Sequence, residues 1–356
     1  MGKFLILVLF ALAGTAGWFW YALRQPYQGF PAEGVLVDVP HGASSRGVAR
    51  LLERKGVVRS AAAFEIYTRK HPTRSLQAGE YFFDHATSGT QVFWKIASGE
   101  IFEQPFTVRE GETMFDIARD LEAGQFMIGE EFLQAAKDPA LIRDLVPNAP
   151  TLEGFLFPAT YHLSKHPSAS ALTTEMVKKF KEEWSSVTSS DANLSSSPAD
   201  PTAPDAPSGP TATGRPVVSI VTLASLVERE TPKPEERPLV AGVFQNRLHK
   251  SMPLQCDPTV IYALERIGKY QGSLTLADLR FDSPYNTYVH TGLPPGPIGN
   301  PGAASLRAAY RPAQTDYLYF VANTQGGHFF GATLAEHNNN VMKYHHLLAG
   351  EQGASR

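Results

Sequence analysis

Pro216-Val-Val-Ser-Ile-Val-Thr-Leu-Ala-Ser-Leu-Val-Glu228-Arg-Glu230-Thr-Pro232 reads as an almost wholly apolar helix that ends in carboxylates. Val217, Val218, Ile220, Val221, Leu223, Ala224, Leu226 and Val227 leave nearly no polar face, so this helix belongs in a core. A carboxylate placed where such a helix meets a cleft is partly desolvated. Desolvation disfavours the charged form and raises the pKa, which readies a Glu to give a proton near neutral pH. Glu228 and Glu230 point roughly 160° away from each other at about 3.6 residues per turn, so they do not both flank one bond. One is a catalytic candidate and the other a structural or solvated carboxylate. The residues alone also allow a plainer reading, in which both merely end a core helix that Pro232 stops.

Working outward, Glu236-Arg237-Pro-Leu-Val-Ala-Gly-Val-Phe-Gln-Asn246-Arg247-Leu follows, then Leu254-Gln255-Cys256-Asp257-Pro258-Thr259-Val-Ile-Tyr262. Next come Tyr285-Asn286-Thr287-Tyr288, Thr291-Gly292-Leu-Pro-Pro-Gly296-Pro-Ile, Asn300-Pro301-Gly302, Tyr317-Leu-Tyr-Phe-Val321 and Gly326-Gly327-His328-Phe329-Phe330. In this order and spacing the set resembles the YceG-like family, the endolytic murein transglycosylases that cut peptidoglycan strands at the inner membrane. The likeness spans nearly the whole chain and is dense from Thr222 to Tyr344. In that family the essential acid is the second Glu of a run of Ser, two hydrophobic residues, Glu, Lys or Arg, Glu and Thr. Here the run is Ser225-Leu226-Val227-Glu228-Arg229-Glu230-Thr231, so the resemblance assigns the role to Glu230. It also implies non-hydrolytic cleavage of the MurNAc–GlcNAc β-1,4 bond, a 1,6-anhydroMurNAc end, termination of glycan polymerisation, and cell-wall synthases as partners.

A typical glycosidase uses two carboxylates. Asp257, Asp282, Asp316 and Glu336 are available, yet no spacing brings any of them to Glu230. Lytic transglycosylation needs no partner carboxylate. The sugar's own 6-hydroxyl attacks C1, and the intramolecular nucleophile gains from high effective concentration. One Glu protonates the leaving oxygen and then takes the hydroxyl proton. Tyr285, Tyr288, Tyr317 and Tyr319 offer ring faces to sugar CH groups, with core packing as the alternative for some of them. Gln255, Asn286 and Asn323 can hydrogen-bond hydroxyls or N-acetyl groups, and Asp257, Thr287 and His328 complete the expected substrate-binding set. Cys256 reads as a small buried residue. His290, His328, His337, His345 and His346 lack a metal-ligand spacing, so neither metal nor cofactor is expected. A muramidase-type hydrolase and a non-catalytic, membrane-tethered peptidoglycan-binding protein are the competing functions.

Phe4 to Leu23 is an uncharged apolar run, about 30 Å long as a helix, enough to cross a bilayer. Lys3 precedes it, and Trp18, Trp20 and Tyr21 crowd its far end, where amphipathic rings favour the interface. A signal peptide cut near Ala11-Leu-Ala13 would expose Trp18-Phe-Trp-Tyr on the mature N-terminus, so an uncleaved single-pass anchor in the inner membrane is expected. The body then faces the periplasm or cell wall. The net charge of −3 and the absence of a basic stripe exclude nucleic acid as a partner. With Cys256 as the single cysteine, there is no internal disulfide.

Residues 1–26 thus form a cytoplasmic tip and anchor, and 33–104 an N-terminal α/β region with strands at Val35–Val39 and Gly79–Phe83. Residues 105–166 contain Phe106-Thr-Val-Arg, a Glu110–Thr113 turn and a helix from Met114 ended by Gly124. This strand, turn and helix look like half of a LysM-type glycan-binding module, or else an ordinary βα unit. The catalytic domain occupies 167–348, with a helix from Ser168 to about Trp184 and a hairpin near Tyr317–Ala322 and His328–Ala332. Residues 185–213, dominated by Ser, Pro, Asp, Ala and Thr, lack the apolar surface to order themselves and read as a disordered insertion. The fold class is α+β.

Overall fold

The computed structural model describes residues 2–165, 167–194 and 215–354. They form two compact units, Met1–Pro105 with His162–His166, and Phe106–Tyr161 with Pro167–Arg356. Residues 106–161, set apart from the catalytic half in the sequence reading, thus share a unit with it.

Unit 1 begins with α1 (Gly2–Arg24), whose segment Ile6–Arg24 is long and apolar enough to cross a membrane. Phe4, Ile6, Leu7, Leu9 and Phe10 are exposed, whereas Ala22 and Leu23 at its far end pack on Ala63. The Arg59 guanidinium lies 4.8 Å from the ring centre of Tyr21 and 4.5 Å from that of Tyr27. After α1 come β1 (Val35–Val39), α2 (Ser45–Arg54), α3 (Ala61–Arg69), β2 (Gly79–Phe83) and α4 (Gly89–Ser98). β1 and β2 pair antiparallel with Val37 opposite Tyr81, and the strand alternation turns Val37, Val39, Tyr81 and Phe83 inward. Val48, Leu52, Phe64, Val92, Phe93 and Ile96 from the helices complete that core. Capping sets the helix ends: Ser88 and Gln91 form a reciprocal capping box on α4, and Gly99 closes it in the left-handed conformation.

The chain passes between units along β3 (Gln104–Thr107) and β4 (Thr160–Leu163), which pair with each other. Between them lie α5 (Met114–Ala123) and α6 (Gly129–Lys137), so the segment reads strand, helix, helix, strand. Neither α6 nor β4 is legible in the sequence as an element; β4 has only four residues. α7 spans Ala169–Leu194 and overruns the predicted end at Trp184. Its apolar face continues through Trp184 to Val187, and the Thr188 and Ser189 hydroxyls bond back to the carbonyls of Trp184 and Ser185. The start of the expected insertion is therefore helix, and residues 195–213 lie outside the described residues.

α8 (Val217–Glu230) is the spine of unit 2, with every residue from Ile220 to Val227 buried. Around it pack α9 (Arg237–His249), α10 (Asp257–Glu265) and α11 (Ala303–Tyr310). β5 (Tyr319–Ala322) and β6 (His328–Gly331) form an antiparallel hairpin, followed by α12 (Leu334–Ala354). Asp278–Arg280 is a 3-10 turn, capped by Thr275 and Asp278. Mostly helices with small antiparallel sheets, the fold is α+β.

Candidate active site

α8 delivers its two terminal carboxylates to different places. The Glu228 side chain is 4% exposed and accepts from Arg237 Nη2 at 2.6 Å and from the Gly302 amide at 2.9 Å. Arg237 Nη2 also reaches Glu110 at 3.2 Å, so Glu228 belongs to an ion-pair cluster joining α8, α9 and the Glu110–Thr113 turn. Glu230 takes the other direction. Its Oε2 accepts from the Cys256 thiol at 3.4 Å, and it feels the charges of His328, Asp257 and Arg247. Burial raises its pKa above the ordinary carboxylate value, partly offset by the Cys256 donor, His328 and Arg247. That is the condition of a carboxyl held ready to give a proton.

Three pieces of chain frame Glu230. The first is the turn that leads into α10. Gln255 is held in the left-handed region at φ 52°, an uncommon state for a residue with a side chain. Its amide donates to Thr287 O at 3.1 Å, and both Gln255 and Asp257 are exposed. Asp257 Oδ1 accepts from the Tyr288 hydroxyl at 2.5 Å. The second piece is the hairpin. His328 donates from its backbone to Glu236 Oε1 at 2.9 Å, and its Nδ1 lies 2.7 Å from Glu236 Oε2. Burial works against the Glu236 anion, but the His328 contacts outweigh it and hold the carboxyl below its usual range. Thr231, the residue after Glu230, also donates to Glu236, at 3.3 Å. The third piece is Arg247, whose guanidinium ties Leu318 O at 2.6 Å, Pro253 O at 3.2 Å and Leu254 O at 3.0 Å. It thereby joins the hairpin to the turn.

Unit 2 also contains a buried polar hub. Asn300 is wholly buried, with its amide oxygen taken by the Gly154 and Leu156 amides and its nitrogen donating to Glu112 O and Glu153 Oε1. Glu153 also accepts from the Met114 amide and the Tyr262 hydroxyl. Complete burial pushes its pKa up to about 8 against these donors and the nearby Arg229. Gly154 holds φ 87°, and a Cβ there would sit 2.4 Å from Pro297 Cβ, so only glycine fits.

The model of the YceG-like family matches residues 37–343. The chain belongs to the YceG-like family. It is 33% identical to the endolytic murein transglycosylase of Bacillus subtilis over 348 residues, which cover 94% of this chain and 91% of that protein. It is 30% identical to the endolytic murein transglycosylase of Streptococcus pneumoniae, over 95% of this chain and 64% of that longer protein. A crystallographically solved YceG-like protein from Listeria monocytogenes superposes with a TM-score of 0.54 at 32% identity, covering 87% of this chain and 99% of that one.

Against this frame, the residues predicted to bind substrate in a YceG-like chain separate into two groups. Asp257 and His328 stand near Glu230 with Tyr288, and Gln255 is exposed in the turn beside Cys256. Tyr285, Asn286 and Thr287 do not present themselves to a ligand. Tyr285 is buried with its ring centre 5.0 Å from that of Tyr262. Asn286 donates to Leu279 O and Phe281 O and accepts from Tyr288 N, while Thr287 Oγ1 accepts from Cys256 N. They hold the turn that carries Gln255 and Asp257. Asn323 is likewise occupied, its side-chain oxygen accepting from Gln325 N and Gly327 N to close the hairpin. Tyr317 stacks on Phe330, and Tyr319 on His337. Spacing alone does not point to Glu236, Arg247 or Glu153. The one available signal for the first two was that both fall in the block following α8.

Proposed function

We propose that this protein is an endolytic murein transglycosylase that cleaves the MurNAc–GlcNAc β-1,4 bond of nascent peptidoglycan without water. Glu230 is the acid that protonates the leaving glycosidic oxygen, and then the base that takes the proton of the sugar's 6-hydroxyl as it closes on C1. The new end is 1,6-anhydroMurNAc. The observation that carries this reading is the division of labour at the end of α8: Glu228 is committed to Arg237 and Gly302, whereas Glu230 is half-buried against Cys256, beside the exposed Gln255 and Asp257. The names of the bacillary and pneumococcal relatives support the substrate and reaction class. Gln255, Asp257 and His328, with Tyr288, contact the glycan; Tyr285, Asn286, Thr287 and Asn323 act by holding those contacts in place.

α1 anchors the chain in the cell membrane with the remainder on the cell-wall side, which places the site near newly made strands. There the protein acts with cell-wall synthases and terminates glycan polymerisation. The strand, helix, helix, strand segment of residues 104–163, with its LysM-like first half, contributes a second glycan contact.

One observation favours a second reading. Asp257 lies close enough for its charge to raise the pKa of Glu230, and a carboxylate beside the acid is what a muramidase hydrolase employs. Product mass separates the two, because an anhydro end is one water lighter than a reducing end. A one-water deficit on strands released by the full chain supports transglycosylation, and reducing ends alone overturn it. Absence of any release would leave a binding protein.

A further inference from the structure

We infer that the Leu254–Asp257 turn is a clamp on the acid, in which the Cys256 thiol donates to Oε2 of Glu230 and so leaves the transferable proton on Oε1. This rests on the reading of Glu230 as general acid. Sγ lies 3.4 Å from Oε2, a distance at which S–H is a donor, if a weak one. Cys256 is 1% exposed, and burial, followed by the neighbouring Glu230, pushes its thiol well above the usual range. It therefore stays S–H and keeps the hydrogen it needs to donate.

The turn is built to hold that sulfur still. Cys256 N donates to Thr287 Oγ1 at 3.0 Å, Cys256 O accepts from Thr259 Oγ1 at 2.6 Å, and the two hydroxyls are 2.9 Å apart. Gln255 immediately before is in the left-handed region, a strained state that persists only where surrounding contacts fix it. Here those contacts are the Thr287 carbonyl on one side and the Arg247 guanidinium on Pro253 O and Leu254 O on the other.

A protonated carboxyl carries its hydrogen on one oxygen and accepts at the other. With Oε2 engaged by the thiol, the hydrogen resides on Oε1. It passes from Oε1 to the glycosidic oxygen as the C1–O bond breaks. Oε1 then recovers a proton from the 6-hydroxyl as O6 bonds to C1, and Cys256 ends as it began. The groups facing Glu230 are Cys256, Asp257, Arg247 and His328, with Tyr288 beyond Asp257. Of these, Cys256, His328 and Arg247 favour the anion and Asp257 opposes it.

The pH dependence of kcat/KM for the full chain on glycan strands tests the clamp. The form that starts the reaction has Glu230 protonated, so kcat/KM falls as pH rises through its pKa. A donor to the carboxylate stabilises the anion, so deleting that donor carries the basic limb to higher pH. Cys256→Ala should move the limb upward and lower kcat about ten-fold, through loss of orientation. Cys256→Ser keeps a donor, so its limb should lie at or below that of the wild type and most of kcat should return. An unmoved limb in Cys256→Ala, or equal movement in Ala and Ser, overturns the inference. A second measurement does not depend on those variants folding. The chain has one cysteine, so its S–H stretching band is assignable, and Glu230→Ala should shift it to the position of an unbonded thiol. A band that stays in place overturns the clamp. A Glu230→Gln protein that still cleaves removes the underlying assignment, whereas an inactive one with an unmoved Cys256→Ala limb removes only the clamp.

Discussion

Among the described residues, the buried polar side chains of unit 1 are Ser60, Thr68 and Ser88, which cap helices or bond back within them. Those of unit 2 include Glu153, Arg237, Arg247, Thr287 and Asn300, which bond to groups far off in sequence: Asn300 to Glu153, Arg237 to Glu110, Arg247 to Leu318 O and Thr287 to Cys256 N. The two units are therefore stabilised differently. Unit 1 is an apolar core between a two-stranded antiparallel sheet and three helices, where burying hydrocarbon is the dominant gain. Burying ions is at best neutral for stability, because desolvation offsets their attraction. What a satisfied polar network does provide is one fixed geometry. In unit 2 the buried Arg247 and Thr287 hold the turn and the hairpin that flank Glu230.

The sharpest way to break the contrast is at the acid itself. Glu230→Gln keeps the shape and removes the transferable proton. Glycan cleavage should fall at least about 10²–10⁴-fold, since the same residue serves both steps, while the melting temperature holds. Glu228→Gln should cost far less activity. If the order were reversed, with Glu228→Gln inactive and Glu230→Gln active, the acid would be Glu228.

Next is the ion pair. Arg237→Ala leaves Glu228 buried without its cation and should destabilise unit 2 by about 3–5 kcal/mol in denaturant unfolding. A shift in unit 1's transition instead, or none in either, would mean the pair is no keystone of unit 2.

A smaller, pH-dependent effect comes from Glu153. Its folded pKa, near 8, lies above the usual carboxylate value, so the native state holds a proton that the unfolded chain has released between about pH 4.5 and 8. Stability from this group is complete at the acid end of that window and is lost as pH rises through it. Melting temperatures of the full chain should therefore decline from pH 6 to 8.5, and Glu153→Gln, which cannot ionise, should flatten that decline. An unchanged slope would assign the decline to other groups.

The strands of unit 1 were legible because their rule is local: period-two alternation in Val35–Val39 announces itself within a few residues. α8 was legible for a similar reason, and its 3.6-residue period alone implied that Glu228 and Glu230 diverge. The site was legible only in part. Sequence spacing says that Asn286 and Thr287 accompany Gln255 and Asp257, but not which side chains turn outward. That is settled by distant partners, such as Thr287 on Cys256 and Asn300 on Glu153. A polar residue in a motif looks the same whether it binds a sugar or the loop that binds it.

The smallest expected effect lies between α7 and α8. Residues 185–213 read from composition as one disordered insertion, but α7 runs to Leu194 and buries Val187 within unit 2. The part expected to be dispensable is therefore 195–213, whose Ser, Pro, Asp, Ala and Thr supply almost no large apolar side chain. Replacing 195–213 by a short Gly/Ser link should change stability by no more than about 0.5 kcal/mol, as for surface changes in general, and leave glycan release intact. A deletion that starts instead at Ser185 removes Val187 along with Thr188 and Ser189, whose hydroxyls bond back along the helix, and should lower the melting temperature. Equal tolerance of both deletions would mean that the last turns of α7 contribute nothing to the core. A large loss from the shorter replacement would show that 195–213 carries a function its composition does not reveal.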